Sequence, residues 1–127
     1  MPMTKRTLLG LAAAILALPA LAAAPAPSAV TPELVAAARK EGKVVLYTSI
    51  ELQVAEKIAK AFEAAYPGVA VQVERNGAER LFQRLGQEYG SKIYAADVLE
   101  SSDATHFLAW KRQGWLEPYL EQERIAA

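Results

Sequence analysis

The sequence predicts an α/β fold, a three-layer sandwich in which a mostly parallel sheet carries helices on both faces. Two observations predict it. Helical and strand patterns alternate from residue 31 to about residue 113, and the strand runs are short, apolar and bounded by turn residues. Such alternation is typical of parallel strands joined by right-handed helical crossovers.

Residues 1–22 are predicted to be a cleaved secretory signal peptide and are left out of the fold. Lys5 and Arg6 form a positive start, and an apolar run follows from Thr7 to Leu18. That run is shorter than the roughly 20 apolar residues that span a bilayer. Cleavage is expected after Ala22, so the product is predicted to be periplasmic, with no membrane span after signal removal.

Charge and cysteine content exclude several classes of protein. Two of the 14 Lys and Arg residues lie in the signal segment, and none of the 14 acidic residues does. The remaining chain therefore has a net charge of about −2. This balance argues against a nucleic-acid partner. The absence of cysteine excludes disulfides, thiol catalysis, cysteine metal sites and a lipid-modified cysteine.

The elements follow from local patterns along residues 31–127, after a proline-containing linker over residues 23–30. Thr31-Pro32-Glu33 predicts a helix start, and Gly42 its end. Val54, Ile58 and Phe62 recur every four residues, with Ala55 and Ala59 beside them, and predict an amphipathic second helix. In order, we predict a helix to Lys40, a strand over 44–48, a helix over 51–66, a strand over 69–74, a helix from Ala78 that fades near Gly86 to Gly90, a strand over 96–100 and a helix over 104–113.

Three strand-to-helix junctions are predicted to share one edge of the sheet: 49–52, 75–78 and 101–104. Ligands of open α/β sheets bind beyond the carboxyl ends of the strands, where helix N-termini present unpaired N–H groups. Hydroxyl and amide side chains at these junctions suit an oxyanion, a carboxylate or the oxygen shell of a chelated metal.

Each junction also has a purely structural interpretation. Ser101, Ser102 and Asp103 are good helix caps, and Asn76-Gly77 can form a tight turn with positive φ. If Glu51 and Asp103 face the cleft, they favour a cation, an amine or a hard metal; if they cap helices, they carry no such information. We expect capping.

Signals for catalysis are absent from the sequence. No G-x-S-x-G, G-x-x-x-x-G-K or G-x-G-x-x-G motif occurs. His106 is the only histidine, too few for a zinc site, and is expected to be a surface or packing residue. Trp110, Trp115 and Phe107 are expected in the core or an interface. We predict a protein that is not an enzyme and has no resident cofactor.

Three blocks of sequence occur in a fixed order. They are EGKVVLYTS, AFEAAYPGVAVQVERNGAERLFQRL and AADVLESSDATHFLAWKRQGWLEPY. In order and spacing they resemble the start of a bacterial extracellular solute-binding protein of the ferric-iron-binding type, from an ABC importer. The resemblance implies part of the N-terminal lobe of a type II periplasmic-binding-protein fold over residues 31–127. It implies two lobes that close on a small solute and dock onto an inner-membrane permease.

The resemblance also implies the ligand contacts. With Asp103 from the third junction, the candidate residues are Ser49, Ile50, Glu51, Asn76, Gly77, Ser101, Ser102 and Asp103. Iron-binding members have a histidine where this chain has Glu51, and a ligating glutamate where it has Asn76-Gly77. Iron(III) or its chelate, carried as cargo, and a small oxyanion or organic acid therefore both stay open as the solute.

Family members are longer, and their second lobe follows the point at which this sequence stops. The expectation is a truncated solute-binding protein or a one-lobe protein. The alternative function is a single-lobe interaction module that binds a permease or itself through an exposed apolar face. The third possible function is that of a small exported enzyme that uses Ser, His106 and an acid.

Overall fold

The structure, a computed structural model, describes residues 26–119, so the predicted signal peptide lies outside the described residues. It is an α/β fold with a three-stranded parallel sheet and four helices. The predicted order of elements is confirmed. In chain order they are α1 (Pro32–Glu41), β1 (Lys43–Thr48), α2 (Leu52–Ala65), β2 (Ala70–Arg75), α3 (Ala78–Gly90), β3 (Val98–Leu99) and α4 (Ala104–Arg112).

The sheet has the strand order β2-β1-β3, with β1 in the centre. β1 pairs with β2 from Lys43 opposite Ala70 to Thr48 opposite Arg75. It pairs with β3 through Leu46 opposite Val98. The chain moves from β1 to β2 in one direction and then back past β1 to β3. Right-handed crossovers in these opposite directions place α2 and α3 on opposite faces of the sheet.

The core under α3 is built on alternate residues of β1. Val45 and Tyr47 are buried against Leu81, with Ala96 and Leu99 packed at the margin. The Tyr47 ring is apolar surface for this core, and its hydroxyl needs a hydrogen-bond partner because it is buried.

The polar end of Tyr47 reaches α3. Its hydroxyl donates to Glu88 Oε1 at 2.9 Å, and the Arg84 guanidinium lies 4.5 Å from the centre of its ring. Burial, and then the carboxylate of Glu88, raise the pKa of the Tyr47 hydroxyl. Arg84 pairs with both Glu88 and Glu74, so this group of side chains joins α3 to β1 and β2.

Both ends of α1 are formed by the residues that the sequence predicts. Thr31 Oγ1 accepts from Leu34 N at 3.2 Å, and Pro32 occupies the first helical turn. Gly42 has φ of 80°, a left-handed conformation that ends α1 at little steric cost. Gly77, by contrast, has φ of −65° and leads directly into α3. The interpretation of Asn76-Gly77 as a tight turn with positive φ was therefore wrong.

The largest apolar side chains of the amphipathic helix α2 remain exposed. Val54, Ile58 and Phe62 keep 47%, 51% and 39% of their surface exposed, whereas Ala55 and Ala59 are buried. Small side chains on the inner face allow a helix to lie close to the sheet. The large side chains therefore lie on the outer side of the helix.

Two further boundaries differ from the prediction. α3 continues through Gly86 to Gly90 without fading. β3 is only two residues long, shorter than the predicted 96–100. The reason lies at Asp97, whose Oδ2 accepts from Val45 N at 2.8 Å and so replaces a main-chain acceptor in the ladder.

Replacing Leu81 with alanine tests the core. We expect Leu81→Ala to lower the free energy of unfolding by about 2 to 5 kcal/mol, because Leu81 is 1% exposed and its removal leaves a cavity against β1. Urea denaturation followed by circular dichroism measures the change. Leu34→Ala is the matched control: Leu34 is 52% exposed, and its loss should cost at most about 1 kcal/mol. Equal costs would contradict the assigned core.

Candidate functional site

All three strand-to-helix junctions meet at the carboxyl edge of the sheet. Asn76 N donates to Thr48 O at 3.1 Å, which brings the second junction against the first. Ser102 N donates to Ser49 Oγ at 2.8 Å, which joins the third junction to the first. The strand order β2-β1-β3 changes direction at β1, and open α/β sheets bind ligands outside the carboxyl ends of their strands where the order reverses.

Glu100, which sequence reasoning missed, lies at the centre of this edge. Its Oε2 accepts from Thr48 Oγ1 at 2.5 Å, from Ser49 N at 2.9 Å and from Ile50 N at 3.2 Å. The amides after β1, which were predicted to be unpaired, are therefore already bonded to a carboxylate of the protein. The signal in the sequence was weak: an acid at the last position of a predicted buried strand.

The hydrogen bonds to Glu100 favour its ionised form. Partial burial acts to raise the pKa of this carboxyl, but the hydrogen bonds from the Thr48 hydroxyl and the Ser49 and Ile50 amides outweigh it. The pKa of Glu100 consequently lies below its ordinary value of 4.5. A fixed negative charge thus lies between the ends of β1 and β3.

The three helix starts differ in how they are capped. Asp103 caps α4, because its Oδ1 accepts from Thr105 N at 2.9 Å. This amide and the Thr105 hydroxyl lower the pKa of the Asp103 carboxyl. Glu51 and Gly77 occupy the N-cap positions of α2 and α3 without a side-chain capping bond. The expectation of capping was therefore right for Asp103 and wrong for the side chain of Glu51.

His106 is buried, with 7% of its surface exposed, and packs on Phe82 with ring centres 4.5 Å apart. Its Nδ1 lies 3.3 Å from Ser101 Oγ. Its Nε2 faces the carboxylates of Glu79 and Asp103, each 3.6 Å away. Even so, within residues 26–119 no group of three or more His, Cys, Asp or Glu residues is placed to hold a metal ion.

Of the aromatic residues expected inside, Trp110 is fully buried and Phe107 and Trp115 are half-buried. Trp115 stacks on Tyr89 with ring centres 4.4 Å apart. These two rings line an open groove of about 820 Å³ beside α3. None of the predicted ligand contacts lines this groove, so the groove is separate from the predicted site at the sheet edge.

Comparison with known proteins does not assign the chain to a family. No family profile matches it, and no curated protein is significantly similar to it. Between residues 26 and 119, none of the helices has the length and apolar character needed to cross a bilayer. A functional proposal for this chain therefore depends on the geometry of the sheet edge.

Replacing Glu100 with glutamine removes the charge at the sheet edge and keeps the size of the side chain. We expect Glu100→Gln to lower the free energy of unfolding at pH 7 by about 1 to 1.5 kcal/mol, since hydrogen bonds to a carboxylate become neutral ones. Chemical denaturation between pH 3 and pH 8 measures it.

The contribution of Glu100 to the free energy of unfolding depends on pH. Because folding lowers the pKa of Glu100, its contribution is complete above the ordinary value of 4.5 and is lost as the pH falls through the lower pKa of the folded state. The cost of the substitution should therefore disappear in acid. Glu56→Gln, on the exposed side of α2, is the matched control and should cost little at any pH. A cost that does not decrease as the pH is lowered from 4.5 would contradict this role for Glu100.

Proposed function

We propose that the protein is the periplasmic substrate-binding component of an ABC importer and captures a small solute at the carboxyl edge of its sheet. One observation carries the proposal: three strand-to-helix junctions meet at the carboxyl edge of a parallel sheet with the order β2-β1-β3, and the first junction is hydrogen-bonded to both of the others. In this proposal residues 31–127 belong to the N-terminal lobe of a type II periplasmic-binding-protein fold. Residues 1–22 direct export, and the partner is an inner-membrane permease.

The groups still available at the edge define how a solute would be held. The α2 and α3 helix starts have no side-chain cap, so their first-turn N–H groups can receive an oxyanion or an organic acid. The Ser49, Ser101 and Ser102 hydroxyls supply further polar contacts. Glu51 and Asp103 would instead suit iron(III) or its chelate as cargo. An open edge offers only one wall, so tight capture requires a second surface over it.

Calorimetry with ferric citrate, inorganic phosphate and succinate tests the proposal. We expect heat of binding with at least one of them and, for that solute, a loss of about 2- to 13-fold in affinity for Ser49→Ala, the equivalent of one hydrogen bond. Ser91→Ala is the matched control, because Ser91 is exposed at the end of α3. No heat with any solute, or equal losses in both variants, would contradict a solute site at this edge.

A second candidate function, a single-lobe interaction module, is favoured by the outer side of α2. Val54 and Ile58 are about half exposed on consecutive turns, with Phe62 one turn further. A row with this four-residue spacing is the ridge that another helix packs against. Apolar surface of this kind marks interaction sites when it is contiguous.

Self-association is the measurement that separates this candidate from solute capture. We expect the protein to form a dimer at micromolar concentration in sedimentation velocity, and Val54→Glu/Ile58→Glu to be monomeric because charge is placed on the row. Gln53→Glu/Ala64→Glu adds the same charge to exposed positions on another side of α2 and should remain dimeric. A monomer at all concentrations would rule out association through α2.

A further inference from the structure

The open groove of about 820 Å³ beside α3 has the size of a small-molecule site. It lies between α3 and the segment that follows α4, and its lining residues combine aromatic rings, glycines and a few polar side chains. The residues proposed for solute capture do not line it. Binding in the groove can therefore be measured independently of binding at the sheet edge.

Gly86 lines the groove from inside α3, where glycine is a poor helix residue compared with alanine. A positive φ or a closely packed neighbour usually explains such a glycine. Among the described residues Gly86 is not one of the glycines with positive φ, and a Cβ added to it would meet no atom within 4 Å. A side chain at this position would be compatible with the fold and would occupy the groove. Glycine therefore keeps the groove open.

Aromatic rings form one wall of the groove. Tyr89 and Trp115 are stacked with ring centres 4.4 Å apart, and Tyr94 stands nearly perpendicular to Tyr89, at 84° and 4.9 Å. Tyr94 is 66% exposed, although it is one of the large apolar side chains of the described chain. The face of an aromatic ring carries partial negative charge. The wall therefore offers electron-rich surface to a cation.

The polar lining of the groove adds negative charge and no positive charge. Among the described residues that line it, Glu79 is charged, Gln83 and Gln113 are neutral, and none is lysine or arginine. Glu79 Oε1 accepts from Gln83 Nε2 at 2.9 Å, and Glu79 Oε2 lies 3.6 Å from His106 Nε2. The Glu79 side chain is 71% exposed, so its carboxylate can also attract a ligand. This charge disfavours an anion in the groove.

We propose that the groove binds an organic cation of the quaternary ammonium class, of which choline is the simplest probe. The charge of a quaternary nitrogen is spread over methyl groups, which are apolar and donate no strong hydrogen bond. Such a group can lie against the rings of Tyr94 and Trp115 while the Glu79 carboxylate attracts its charge. A metal cation would instead need several ligating side chains, and residues 26–119 contain no group of three or more His, Cys, Asp or Glu placed to supply them.

Nuclear magnetic resonance of the full-length chain with choline chloride tests the proposal. The chain has two tryptophans, so the indole N–H signals report two positions. We expect choline to shift the signal of Trp115 saturably, and to shift it more than that of the fully buried Trp110. The neutral isostere, an alcohol in which carbon replaces the nitrogen of choline, should bind about 2- to 5-fold more weakly, the loss that corresponds to an exposed cation–π contact.

Substitution of one ring separates attraction of the charge from apolar contact. Tyr94→Leu should weaken choline binding by about 2- to 5-fold and change the affinity for the neutral isostere less. Tyr119→Leu is the matched control, because Tyr119 is 63% exposed and does not line this groove.

Substitution of the glycine tests the space. Gly86→Leu should abolish the choline-dependent shift, whereas Gln87→Leu, at the next and exposed position of α3, should keep it. Gly86→Ala should unfold at a higher urea concentration than the original chain, because alanine favours the helix and nothing in the fold opposes its methyl group.

Three results would overturn the proposal: no saturable shift with choline, equal affinity for choline and its neutral isostere, or unchanged choline binding in Gly86→Leu. If Gly86→Leu is poorly folded by circular dichroism, Tyr94→Leu decides, since Tyr94 is mostly exposed and its loss should leave the core intact. Equal choline affinities for Tyr94→Leu and Tyr119→Leu would then contradict a cation site in this groove.

Discussion

The carboxylate of Glu100 joins the end of β1 to the end of β3, and the geometry of the sheet edge depends on it. It accepts from the Thr48 hydroxyl and from the amides of Ser49 and Ile50 at distances between 2.5 and 3.2 Å. These bonds set the path of the chain from β1 into α2. They also bring Ser49 close enough to accept from Ser102 N, so the first and third junctions become one surface. Buried polar groups destabilise the folded state unless they are hydrogen-bonded. Here the hydrogen bonds to Glu100 satisfy these groups and hold the ends of β1 and β3 in one arrangement.

This arrangement also determines which chemistry the edge can offer. The amides after β1 are occupied by Glu100 and cannot serve a ligand without displacing it. The uncapped starts of α2 and α3 and the serine hydroxyls remain. The Ser101 hydroxyl also lies 3.3 Å from Nδ1 of the buried His106 ring. In the proposed function, recognition at this edge would depend on these few directional groups.

The packing of the helices explains why large apolar side chains remain outside. α2 approaches the sheet through Ala55 and Ala59, and α1 has no buried residue. The buried apolar core of the described chain is correspondingly small, and half of its residues lie on β1 and α3. Val54 and Ile58 gain little from folding in this arrangement, since the hydrophobic contribution scales with the area removed from water. Covering that row would add stabilisation that the described residues do not themselves provide.

The sequence alone determined the elements, their order and most of their ends. Thr31, Gly42 and Asp103 act through hydrogen bonds and φ values within a few residues, so their roles are visible in the local pattern. Only the tertiary structure decided the strand order, which side of α2 is buried and the role of Glu100. Glu100 bonds to Ser49 across 51 positions of sequence, and no local pattern encodes a contact at that separation. The spacing of Val54 and Ile58 shows that they share a face, but the side that is buried depends on how closely the backbone can approach the sheet.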